Sequence, residues 1–327
     1  MRMAMAIMTV CLCTAMGMVA PAFAEPQSGT ITWEKWVFEW EVTGNQSLVL
    51  SDVTYDGELV LSRASLPVVR VKYEREWPWY HPYSWFGIGR STGRCGPFQD
   101  RITWIHLDPI PSCGNSKVCV QTYERGGVKW LEVGVYARIG EYHLYHAWYL
   151  NEQGEIRPVL QSRGLSCKTT HQHHPYWRLD FGIAGDDRDQ VFEYTDGTTN
   201  EGWGPGWHKY TNEVNAVKDP PKHRRWFVRD SQTSHGLWVL PGDGYPPIQD
   251  DGVPQSGFSK LDVGVRLYHE EEDGAWLFGA RGDLGYLNGE GIQEKNLVFW
   301  YAAHLPHHAA MGPAAWLAVG PVLKIQR

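Results

Sequence analysis

The stretch His171-Gln172-His173-His174-Pro175 holds the residue types best suited to chemistry in this chain. In a strand, successive side chains alternate faces, so His171 and His173 point the same way, about 6–7 Å apart along the chain. Two imidazoles at that spacing can bind one metal ion without straining the backbone. Neutral imidazole suits copper, zinc, iron and nickel, and a third nitrogen from elsewhere would complete a three-His site with an open position. A His-rich surface turn is the alternative, and His-x-His alone does not separate the two.

The elements that must position these histidines read as strands. Trp36, Phe38, Trp40 and Val42 alternate with Val37, Glu39 and Glu41, a period of two. Leu48 to Val53 and Leu59 to Leu61 flank the hairpin turn Tyr55-Asp56-Gly57. Val68 to Tyr73, Ile102 to Leu107, Lys117 to Thr122, Val128 to Val133, Tyr142 to Leu150 and Ile156 to Leu160 follow as strand candidates. Trp77 to Pro97 reads as a long ordered loop, and Gly197 to Pro221 as a polar excursion. Trp177 to Ile183, Trp226 to Arg229, Gly236 to Leu240, Leu261 to Tyr268, Gly274 to Phe278 and Leu297 to Ala302 complete the set. No stretch carries helix caps with an apolar stripe. The expected fold is all-β, a large, mostly antiparallel β-sandwich.

Residues 1–24 read as a secretory signal, with Arg2, an apolar run from Ala4 to Val19, and Ala22-Phe23-Ala24 as the cleavage site. The domain is then 25–327, and a secreted or periplasmic location is expected. No later segment approaches the twenty apolar residues needed to span a bilayer, so no membrane partner is expected. A net charge of -7 argues against nucleic acid. Beyond the signal stand Cys95, Cys113, Cys119 and Cys167, an even number that suits one or two disulfides in an oxidising compartment. The 17 Trp and 16 Tyr suit strands and sheet-on-sheet cores.

Over most of this length the chain resembles the catalytic C-terminal domain of the copper amine oxidases. Leu48 to Gly57 through Arg63-Ala64-Ser65-Leu66 is similar to that domain's opening strands, and Lys117 to Trp130 to the segment before its cofactor. His171-Gln172-His173, followed by Arg178-Leu179-Asp180, resembles its copper-ligand strand. His307, seven residues after Trp300, falls where the family places its third ligand. The resemblance thus implies copper on His171, His173 and His307. His174, His304 and His308 would stand behind that set or on the surface. It also implies that Tyr142, in Ile139-Gly140-Glu141-Tyr142-His143-Leu144, is the tyrosine that copper and oxygen convert to topaquinone, an electron sink for amine oxidation. Tyr73 falls at the position that hydrogen-bonds the quinone, and Cys95 with Cys119 at the family's disulfide. Cys113 with Cys167 would form a second bridge, or Cys167 a free thiol.

Departures from the family pattern bear on activity. The family's general base stands fourteen residues after the quinone-bonding tyrosine, a count that lands on Gly87. Losing a positioned base removes roughly 10²–10⁴-fold in rate. Asp100, Glu141, His143 and His146 are the candidate substitutes. Glu141 and His143 replace the usual neighbours of the tyrosine. Asp180 is present for a calcium-type site, but Gly182 takes the place of its partner. The arms that lock the family's dimer look trimmed, which leaves a homodimer as an expectation of the resemblance alone. Three readings follow. One is a topaquinone enzyme that turns a primary amine and oxygen into an aldehyde, ammonia and hydrogen peroxide. The second is a copper oxidase without the quinone. The third is a non-catalytic copper-binding or accessory protein.

Overall fold

The protein is described by a computed structural model covering residues 27–44, 46–73, 98–165, 170–185, 188–199, 202–242, 262–270 and 287–327, with backbone alone at 72, 73 and 98. In chain order its strands begin with β1 (Ser28–Trp33), β2 (Trp36–Thr43), β3 (Ser47–Tyr55), β4 (Glu58–Tyr73) and β5 (Phe98–Asp100). They continue with β6 (Val118–Arg125), β7 (Val128–Ile139), β8 (Tyr142–Asn151), β9 (Glu155–Arg163) and β10 (His171–Phe181). Next come β11 (Asp189–Thr195), β12 (Gly206–Lys209), β13 (Val214–Ala216), β14 (Arg225–Asp230) and β15 (Gly236–Leu240). The last are β16 (Val263–Leu267), β17 (Leu297–Ala302), β18 (Leu305–His307), β19 (Leu317–Val319) and β20 (Val322–Gln326). Helix among the described residues is confined to short 3-10 turns.

Two ten-stranded sheets face each other. The first runs β1-β2-β3-β4-β10-β17-β16-β13, with β18 on β10 and β5 on β4. The second runs β12-β11-β14-β15-β20-β9-β8-β7-β6, with β19 on β9. Every named strand pairing is antiparallel, as the alternating sequence requires. Strand β2 shows the cause: Trp36, Phe38, Trp40 and Val42 are buried, while the residues between them are exposed or half-exposed. Asp56 and Gly57 both take positive φ (54° and 79°), the two-residue hairpin turn that Asp-Gly favours.

Strand β10 is buried along its whole length, because it is central to its sheet and both of its faces are covered. Pro175 sits within it and cannot donate to a ladder. Its carbonyl accepts from Ala303 N (3.0 Å), in the gap between β17 and β18. The missing N–H therefore falls where the neighbouring strand is already broken. That break frees Ala303-His304 to turn and lets β18 restart beside His171.

Several expectations are corrected. Ile102 to Leu107 forms a 3-10 turn at Trp104–His106 and one isolated bridge, Leu107 to Ala137, rather than a strand. The supposed excursion 197–221 contains β12 and β13, one in each sheet. Strands β1, β5, β11, β18, β19 and β20 were not anticipated. Trp77 to Pro97 and Gly274 to Phe278 lie outside the described residues. The disulfide also differs: Cys119 is bonded to Cys113, with Cα atoms 5.3 Å apart, and not to Cys95. The reason is local. Pro111–Cys113 is a 3-10 turn, Gly114 and Asn115 take left-handed φ, and the chain doubles back to bring Cys113 against the start of β6. Cys113 is thereby unavailable to Cys167, and both Cys95 and Cys167 lie outside the described residues.

Candidate metal centre

His171 and His173 lie on the same face of β10, turned toward the second sheet, as the alternation of a strand demands. Strand β18 pairs with β10 so that His307 is directly opposite His171. Opposed residues share a face, so the third imidazole joins the first two. Across the sandwich, Tyr142 opens β8 after the hairpin turn Gly140-Glu141, where Gly140 takes φ +58°. The hydroxyl of Tyr142 is 3.3 Å from His171 Nε2. Its ring centroid is 4.8 Å from that of His173. His171 and His307 have ring centroids 5.0 Å apart. All four side chains are buried, the histidines to within 2 %.

Two of the nitrogens are spaced as ligands are. His171 Nε2 and His173 Nε2 are 3.1 Å apart. Two ligands at about 2.0–2.1 Å from one ion, set at 90–109° to each other, have nitrogens about 2.8–3.4 Å apart, so this pair fits adjacent coordination positions. His307 Nε2 donates to Gly312 O (3.0 Å), which puts the proton on Nε2 and leaves Nδ1 as a lone pair. His307 Nδ1 is buried without a hydrogen-bond partner. A carbonyl holding the far nitrogen of a ligating histidine is the usual way such a ring is oriented. Burial, reinforced by His171, His174 and His307, drives the pKa of His173 well below its ordinary value and keeps the ring neutral. As the side chains stand, no three His, Cys, Asp or Glu among the described residues close around a single point. The donor set nonetheless suits copper: three buried imidazoles, one with an oriented tautomer, beside a phenol.

The remaining candidates separate by position. Tyr73 is opposite His171 on β4, with its side chain outside the described residues. Gly87 also lies outside them. Glu141 is exposed on the hairpin turn. His143 follows Tyr142 and so points to the other face, against Tyr136. His146 is on the Tyr142 face, four residues along, but is buried with Nδ1 3.0 Å from Ser47 Oγ. Asp100 pairs with Val69, which pairs with Pro175, so its position is on the His171 and His173 face. Burial raises the pKa of Asp100, opposed by the charge of His106. It lines a cleft of about 670 Å³ with Thr103, His106 and Ile139, and Ile139 is the ladder partner of Tyr142. Asp180 lies beside Arg178, 3.5 Å away.

Behind the site, His174 points to the opposite face of β10 from His173. Its Nδ1 is 2.6 Å from His304 Nδ1, and His304 is hydrogen-bonded in turn to Asp262. Asp262 accepts from Lys218 N at 2.7 Å. This buried chain, the Ser47–His146 pair and the Gly312 carbonyl were not anticipated. The side of His146 could have been counted from Tyr142. The others join residues more than forty positions apart, or depend on backbone geometry, and left no local signal.

Residues 26–96 match the family described as copper amine oxidase, enzyme domain. No curated protein matches the chain. Among solved structures, it resembles a copper-containing benzylamine oxidase from Hansenula polymorpha, at TM-score 0.62 and 15 % identity, covering 92 % of this chain and 60 % of that one. It also resembles the Aspergillus nidulans amine oxidase, at TM-score 0.64 and 13 % identity, covering 98 % and 55 %. A Pichia pastoris lysyl oxidase gives TM-score 0.64 and 12 % identity, covering 97 % and 56 %. The chain thus spans little more than half the length of these proteins, and at such identities the likeness establishes the fold. Together, the partial family match and the shared antiparallel sandwich make this chain copper amine oxidase-like.

Proposed function

We propose that the protein is an exported, copper-dependent oxidase of primary amines, yielding an aldehyde, ammonia and hydrogen peroxide from the amine, oxygen and water. The observation that carries this reading is the Tyr142 hydroxyl 3.3 Å from His171 inside a buried three-histidine cluster. His171, His173 and His307 would hold the metal. Bound copper would supply, with oxygen, the redox chemistry that turns a neighbouring tyrosine into a quinone able to accept electrons from an amine.

The chain's own residues do the rest. The β10–β18 register holds His307 beside His171, and Gly312 O fixes its tautomer. Burial keeps His173 neutral and water out, which strengthens every polar contact within. Proton removal falls to Asp100, the carboxylate whose strand position is on the histidine face and whose basicity burial raises. The test is oxygen uptake and peroxide release with benzylamine by copper-loaded protein. Turnover lost in both Tyr142→Phe and Asp100→Asn supports the reading, and turnover retained in Tyr142→Phe refutes the quinone. A second reading, copper binding without amine oxidation, is favoured by one observation: of the two residues flanking Tyr142, Glu141 is exposed to solvent and His143 lies against Tyr136. Tight copper binding with no turnover would select it.

A further inference from the structure

The outer face of the second sheet, turned away from the metal centre, carries a band of aromatic rings interleaved with cations. Tyr194 and Trp207 are paired across β11 and β12, with ring centroids 5.2 Å apart. Trp207 is 5.3 Å from Trp238, which is 4.9 Å from Phe227. Gly236 makes this possible, since a Cβ there would come within 2.7 Å of the Phe227 ring. The Arg225 guanidinium lies 4.5 Å over Tyr194 and 5.8 Å from Trp238. Arg229 lies 4.7 Å over Phe192. Arg229 donates to Gln190 Oε1 at 3.5 Å, and at the edge of the band Asp196 accepts from Tyr194 and feels the charge of Arg225. Trp207, on the edge strand, is 52 % exposed. Stacking alone explains the buried members of this band, but it does not explain a half-bare indole at its rim.

We propose that this band is a binding site for a linear uronate-bearing polysaccharide. Its size argues against a folded partner. From β12 to β15 it crosses four strands, about 14 Å at a spacing of 4.8 Å, and from Arg225 to Arg229 it runs four residues, about 13 Å. That area of about 190 Å² is far below the roughly 800 Å² per side of a stable protein interface. Its cations, Arg225, Arg229 and Lys209 over Phe192, outnumber Asp196 at its edge and select an anion, although the chain as a whole carries -7. A symmetric contact with a second copy would set Arg225 and Arg229 against their own kind. The spacing selects the class of anion. The Arg225 guanidinium lies 4.5 Å over Tyr194, whose ring is 5.2 Å from the exposed Trp207 indole, so charge and bare ring face are neighbours, and a uronic acid presents an apolar ring face and a carboxylate on the same sugar. Arg pairs with a carboxylate through two parallel hydrogen bonds, and the indole receives the C–H face.

The experiment is affinity electrophoresis of the full chain through gels containing polygalacturonate, near 0.15 M salt, with dextran and oligodeoxythymidine as comparison ligands. Wild type should be retarded by polygalacturonate and not by dextran. Trp207→Ala and Arg225→Gln should each weaken that retardation at least tenfold, with unchanged circular dichroism. No retardation by polygalacturonate would overturn the proposal, as would full retardation of Trp207→Ala. Tighter binding to oligodeoxythymidine would also overturn it, because stacked aromatics and cations serve single-stranded nucleic acid too.

Discussion

His146 should make the fold acid-sensitive by an amount that the structure sets. The ring is fully buried between the sheets, its Nδ1 meets Ser47 Oγ, and its Nε2 has no hydrogen-bond partner. Desolvation pushes its pKa from 6.5 down to about 3. Above pH 6.5 the ring is neutral in both states, so the full contribution to stability is present. As pH falls below 6.5 the unfolded chain takes up a proton that the folded chain refuses, and stability drops by about 1.4 kcal/mol per unit until the folded pKa is reached. The span from 6.5 to about 3 sets a ceiling of about 5 kcal/mol on this loss, with about 2 kcal/mol gone by pH 5. His146→Phe keeps an aromatic of similar size and removes the titration. It also leaves Ser47 without its partner, a cost that does not change with pH. Urea unfolding followed by tryptophan fluorescence, at pH 7 and pH 5, measures the stability gap between wild type and variant. That gap should shift by about 2 kcal/mol in favour of the variant on acidification. A gap that stays constant within about 0.5 kcal/mol would refute the reasoning.

Ser47 holds φ +62°, a left-handed conformation that glycine adopts without cost. Ser47→Ala should destabilise by about 1–3 kcal/mol, since it keeps the strain and loses the bond to His146, whereas Ser47→Gly should cost less. Equal losses in urea titrations would contradict this. Cys119→Ser should lower stability by about 2–3 kcal/mol by opening the short loop to Cys113, and peptide mapping without reductant should recover a Cys113–Cys119 link. A Cys95–Cys119 link instead would overturn that pairing. Asp100 has a raised pKa, so its protonated form favours folding, and that contribution fades as pH climbs from below 3.8 through the folded value. Asp100→Asn should therefore gain stability relative to wild type at pH 7 and lose the advantage near pH 3. A thermal-melt difference independent of pH would rule this out.

The histidine pair was legible because strand parity is a local property: two residues apart means one face. The same parity would have put His143 opposite Tyr142 and His146 beside it. His307 was found through resemblance, and its structural cause is the proline break, which no count of residues reveals. Asp56-Gly57 announced its turn, because few residues take two positive φ values in succession. The strand expected at Ile102–Leu107 failed for the converse reason: its apolar residues fit a 3-10 turn packed on β7 equally well. Cysteine pairing was beyond the sequence, since four cysteines allow three pairings of two bridges and the choice rests on how the loop after Pro111 folds. Strands β18 to β20 are short, and their partners on β9, β10 and β15 define them more than their own composition does.

The central claim, that three histidines and Tyr142 form one copper site, is tested most directly by loading the metal-free full chain with copper(II) under air and following visible absorption. One copper per chain with a slow broad band, trapped by phenylhydrazine and absent in Tyr142→Phe, is the expected result. Copper uptake undiminished in His173→Ala, with no band in the wild type, would contradict the claim.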